Sequence, residues 1–182
     1  MSGLTGCTPA AENERLRQGL READQQKSPM DSLSAASGIT DATVLDRLAS
    51  LDLRSDTLAA LSVAPLVLVA WADGNIDNDE RQAVLAGAAE SGIGKQDVPY
   101  QLLDSWLREP PPSDLLTAWT DYTRAASAAL DAEGRRALKA ELLGRARRVA
   151  EPTGGFLGLG RKVSAAEEAV LERLENAFTG QS

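Results

Sequence analysis

Residues 58–72, LAALSVAPLVLVAWA, are apolar on nearly every side and are interrupted only by Ser62 and Pro65. A stretch of about 15 residues is too short for a membrane span, which needs roughly 20. A helix that is hydrophobic all round must instead be buried by other parts of the chain. Pro65 lacks an amide donor and crowds the carbonyl of Leu61, so a kink or break is expected there. The run ends at Asp73-Gly74, passes a group of acids, and continues into an amphipathic helix that Asp77 can cap and Gly92 can close.

The covering elements are expected to be helices as well. Hydrophobic residues make up 43% of the chain but aromatic ones only 4%, with alanine and leucine abundant, a balance that suits packed helices better than sheets. A length of 182 residues fits one domain and a tail. Thr40 is placed to cap a helix carrying Val44, Leu45 and Leu48, and Ser55 to cap the central one. A short helix is expected from about Val98 to Arg108, stopped by prolines 110–112. Ser113 then opens a long helix with Leu115, Trp119 and Tyr122 on one face, Asp131 caps another running to Glu151, and Ser164 caps the last, with Leu171, Leu174 and Phe178. The expected architecture is all-α, a single bundle-like domain of about seven helices over residues 39–179, with no strand. Residues 1–38 are expected to form a tail. Within it, residues 10–27 have the pattern of a polar helix with Leu16, Leu20 and Ala23 on one face, and SPMDSLSAASG has the serine and glycine content of a linker.

Several chemistries are disfavoured by composition. A net charge of −8 opposes nucleic-acid binding and attachment to an anionic membrane surface. With no histidine and the single cysteine Cys7, the chain cannot assemble a usual zinc site or a histidine-based nucleophile. Any metal held by one chain must use oxygen ligands, which suit Ca²⁺, Mg²⁺ or Mn²⁺. No disulfide can form within the chain, so a reducing compartment is expected. Leu4-Thr5-Gly6-Cys7 resembles the end of a lipoprotein signal, yet the residues before it leave no room for the rest of one. The expected location is therefore cytoplasmic, without membrane insertion.

An internal echo adds a second organising feature. Ile76-Asp77-Asn78-Asp79-Glu80 followed by Ala83-Val84 aligns with Val163-Ser164-Ala165-Ala166-Glu167 followed by Val170-Leu171, 87 residues later. Each copy reads as a glycine-bearing turn, an aliphatic residue, a cap and a glutamate three residues on, and an internal duplication is expected.

Two explanations serve the acids of the first turn. Asp77 and Glu80 have the spacing of a capping box, in which each side chain accepts from the other's amide. Alternatively Asp73, Asn75, Asp77, Asp79 and Glu80 crowd oxygens where a hard cation would relieve repulsion. Asp73, Gly74, Ile76 and Glu80 match the fifth, sixth, eighth and twelfth positions of an EF-hand loop, but Val69 and Trp71 fall at its first and third, so only half a loop is present. Glu151 and Glu167, at the echoed turn, are the natural residues to complete the shell.

AWADGNIDNDERQAV, with its echo after Val149-Ala150, resembles the tellurite-resistance TerB-like family over roughly residues 46–178. The resemblance rests on Ala72-Asp73-Gly74, Ile76, Asp77 and Glu80. It implies an all-helical domain with duplicated acidic turns that binds a divalent cation, most simply Ca²⁺, and serves as a non-enzymatic interaction module in a stress-response or membrane-associated complex of proteins. The second turn departs from the family pattern, with Glu151-Pro152 in place of Asp-Gly and a long GGFLGLG insertion. The metal ligands expected on this basis are Asp73, Asp77, Glu80, Glu151 and Glu167. A metal-free helical scaffold and a metal-dependent hydrolase are the alternatives.

Two further signals have plainer explanations. GFLGLGRK departs from a phosphate-binding loop, with Arg161 in the lysine position and a helix leading in. Arg135, Arg136, Lys139, Arg145, Arg147 and Arg148 form a basic helix whose charges can be paired by Glu133 and Glu141. Trp71, Trp106 and Trp119 are expected in the core.

Overall fold

The break expected at Pro65 is present, with the proline in the first turn of a new helix. In the computed structural model, which describes residues 28–151 and 163–179, a 3-10 helix spans Leu58–Ser62 and α3 begins afresh at Ala64–Ala70, with Pro65 in its first turn. Proline fits there because the first amides of a helix have no intrahelical acceptor. The residue at the N-cap of the 3-10 helix is Thr57, which makes no side-chain cap bond to it. Thr57 Oγ1 instead accepts from the Arg54 amide at 2.8 Å.

Eight α-helices are present among the described residues, and no strand. The others are α1 (Pro29–Ser37), α2 (Ala42–Ser50), α4 (Asn78–Glu90), α5 (Val98–Arg108), α6 (Leu115–Ala128), α7 (Ala132–Ala150) and α8 (Ala165–Asn176). None of these is long and apolar enough to cross a membrane. The cap of α2 is Asp41 rather than Thr40, its carboxylate accepting from the Thr43 and Val44 amides. Likewise α6 begins after Asp114, not at Ser113.

The linker expected over SPMDSLSAASG is a helix. Ser28 caps it by accepting from the Asp31 amide, Pro29 occupies its first turn, and Gly38 closes it at φ 72°. The residues that suggest a linker are thus its start and stop signals. Leu33, with no exposed surface, anchors α1 against α2 and the 3-10 helix. A fully buried leucine contributes roughly 2 kcal/mol, enough to hold a short helix of modest propensity. The packed region therefore reaches back at least to Pro29. The polar helix expected over residues 10–27, Cys7 and the GFLGLGRK segment lie outside the described residues.

The centre of the fold is α3, which packs against α4, α6, α7, α8 and the 3-10 helix. Leu66, Val67 and Val69 have 1% exposure or none, as its all-round apolarity requires. Two helix pairs, α3–α4 and α7–α8, dominate the core. The first helices of the pairs pack together, and each also packs on both second helices. The set of contacts is unchanged when one pair is exchanged for the other. The sequence echo shares this regularity: Val84 and Leu171 are buried at equivalent places, as are Glu80 and Glu167.

The acidic turn as a candidate site

Asp73 opens the turn. Its Oδ1 accepts from the Asn75 amide at 3.1 Å, and Gly74 follows at φ 89°, a conformation glycine adopts without penalty. The chain then enters α4 through a reciprocal capping box. Asp77 Oδ1 accepts from the Glu80 amide at 2.8 Å, and Glu80 Oε2 accepts from the Asp77 amide at 2.9 Å. Asp73, Asp77 and Asp79 are exposed, whereas Glu80 is only 2% exposed. Both carboxylates also lie at the positive end of the helix dipole.

The same device opens α8. The Ser164 amide donates to Glu167 Oε2 at 2.5 Å, and the Glu167 amide donates to Ser164 Oγ at 3.2 Å. Glu167 matches Glu80 with 2% exposure. A serine hydroxyl, a poor ligand for a hard cation, here performs the task that the Asp77 carboxylate performs at the first turn.

A second anchor holds the acidic turn to α5. Trp71 Nε1 donates to the Trp106 carbonyl at 2.7 Å. Arg81 Nη1 donates to the Leu107 carbonyl at 3.0 Å, and its Nη2 reaches Asp104 Oδ1 at 3.2 Å. The last carbonyls of a helix have no partner within it, so a tryptophan and an arginine from the turn region complete the end of α5. This pairing is absent from the sequence-based expectation, where Trp71 is simply a core residue; it is half-buried. Hydrophobic periodicity carries no signal for a bond between an indole and a carbonyl 35 residues away.

The five expected ligands fall at three places in the chain. Asp73, Asp77 and Glu80 share the first turn, each with a carboxylate oxygen engaged by a backbone amide. Glu151 is exposed at the end of α7. One turn earlier, Arg148 pairs with Glu90 at 2.6 Å, at the opposite end of α4 from Asp77. The 13 residues of α4 extend roughly 20 Å. Glu167 is committed to its own capping box. Among the described residues no group of three or more histidine, cysteine, aspartate or glutamate side chains is arranged to hold a metal.

The basic helix is a paired face. Arg145 bonds Glu141 at 2.6 Å and Ser91 Oγ at 2.5 Å, Lys139 bonds Glu175 at 2.7 Å, and Arg148 bonds Glu90. Arg135 and Arg136 donate to the carbonyls of Leu130 and Ala132. The pairing therefore joins α7 to α4 and α8 as well as to itself.

An apolar cleft of about 290 Å³ lies elsewhere, walled by Leu58, Ala59, Leu61 and Ser62 of the 3-10 helix, Trp119 and Tyr122 of α6, and Leu138 and Leu142 of α7. Burial raises the Tyr122 hydroxyl above the usual tyrosine pKa. Close by on α6, the buried Ser127 Oγ has no hydrogen-bond partner. The apolar pattern of residues 58–72 carries no signal for this cleft, whose wall depends on the 3-10 geometry of Leu58–Ser62. Compared with protein-family models, curated proteins and solved structures, the chain matches none of them.

Proposed function

We propose that this chain is a non-catalytic helical scaffold that acts through contacts with other proteins, and that its acidic turn is a capped corner joining α3 to α4. One observation carries the reading of the turn. The Asp77–Glu80 box recurs at Ser164–Glu167 with the same bonds and the same glutamate burial. Capping accounts for both turns, whereas cation binding accounts only for the one that has an aspartate.

Cation binding is the second reading, favoured by the exposure of Asp73, Asp77 and Asp79 on a single turn and by the resemblance to TerB-like proteins. A cation there would use the first turn alone, with water supplying most of the six to eight oxygens that Ca²⁺ prefers. Terbium luminescence excited through tryptophan separates the two, since Trp71 lies two residues before Asp73. The scaffold reading expects a flat titration on folded, chelator-treated protein. Emission that Ca²⁺ displaces, and that Asp73→Asn abolishes, would establish the cation site instead. Turnover of generic phosphate or ester substrates would overturn the non-catalytic part.

A further inference from the structure

We propose that the apolar cleft between the 3-10 helix, α6 and α7 is the docking site of the chain's own N-terminal segment, residues 10–27, which lays the stripe of Leu16, Leu20 and Ala23 along it. The cleft walls supply leucine, alanine and aromatic surface and few polar groups. The segment, AAENERLRQGLREADQQK, has a complementary character, with one thin apolar stripe on an otherwise charged sequence. Such a stripe is too narrow to hold an isolated helix and needs a receiving surface.

Tethering selects this segment over other occupants. It leads directly into α1, and α1 packs on the same 3-10 helix that walls the cleft. The nine residues of α1 extend roughly 14 Å, so Ser28 stays within about one short helix of the cleft. From Ser28 back to Leu20 the chain can reach up to about 26 Å. A linker of this length keeps the local concentration of the stripe high, favouring intramolecular docking over a separate partner. The segment carries four acidic and four basic residues, so its net charge gives the acidic body no reason to repel it.

The chain's single cysteine, Cys7, permits the test on the full-length protein. With a nitroxide on Cys7, the NMR signals of Leu138 and Leu142, and of Ala126, which also lines the cleft, are expected to broaden selectively. Leu16→Asp with Leu20→Asp should remove that broadening and raise the fluorescence of a dye that binds apolar clefts. Ala59→Glu, at an exposed position on the cleft wall, should also remove the broadening while leaving the helical spectrum intact. Broadening that is absent, or that survives all three substitutions, would overturn the proposal. Broadening seen only between spin-labelled and isotope-labelled chains in mixed samples would overturn it in favour of a second copy in the cleft.

Discussion

Exchanging the cap residues of the two turns isolates what the acids contribute. Asp77→Ala removes the acceptor of the Glu80 amide and should cost about 1 kcal/mol, within a range of roughly 0.5–2. For a domain of this size that lowers Tm by ~2–4 °C. Asp77→Ser installs the residue that already caps α8. Serine and aspartate are nearly equal as caps, and any lost interaction with the helix dipole is offset by weaker repulsion from Asp73 and Asp79, so the cost should stay within about 0.5 kcal/mol. Ser164→Ala and Ser164→Asp should repeat the pattern at the second turn. Thermal and urea unfolding of the five proteins, with EDTA and with excess Ca²⁺, provides the measurement. A cation site occupied at a hundred times its Kd would stabilise the wild type by about 2.7 kcal/mol, a rise of ~5–10 °C on the same scale, and Asp77→Ser would lose much of it. A Ca²⁺-dependent rise of that size, or a serine variant as unstable as the alanine one, would refute the capping account.

Two more outcomes test the packing and the charge network. A Cβ added at Gly87 would meet Leu66 Cδ2 at 2.3 Å, and Leu66 is a core residue only 1% exposed. Gly87→Val should therefore lower stability by about 2 kcal/mol despite the better helix propensity of valine, and an unchanged or higher Tm would contradict the close approach of α3 and α4. The hydrogen bond from Lys139, reinforced by its charge, holds the Glu175 carboxyl below the ordinary glutamate pKa. A depressed acid contributes stability above its unfolded pKa of about 4.3 and loses it as pH falls through the folded value. The Tm difference between wild type and Glu175→Gln should accordingly be present near neutrality, vanish in acid, and shrink with added salt. A difference that grows in acid would reverse the assignment.

How much of this was legible in the residues depended on the range of the interaction. Val98–Arg108 and the caps Asp77, Asp131 and Ser164 stand where their local patterns place them, because capping and periodicity act within a turn or two of helix. The shift from Thr40 to Asp41 was a contest between adjacent residues of similar capping strength. The α1 segment departs from the linker expectation for a different reason. Its serines and glycine are ambiguous between linker and cap, and only the surface waiting for Leu33 decides the matter. The bond from Trp71 to Trp106, the 3-10 wall of the cleft and the pairing of Arg148 with Glu90 all depend on where distant helices meet. A linear pattern cannot specify those meetings.

The exchange regularity of α3–α4 and α7–α8 has a consequence for how the chain acquires its structure. The first helix of each hairpin packs on both helices of the other, so neither encloses a complete core of its own. The halves are interdependent, and a chain severed between α5 and α6 would yield two fragments that fold on meeting rather than two small domains. Helix formation can begin anywhere along the molecule, but the cooperative step is the mating of the hairpins. Ribosomal synthesis must deliver nearly the whole chain before that step is available.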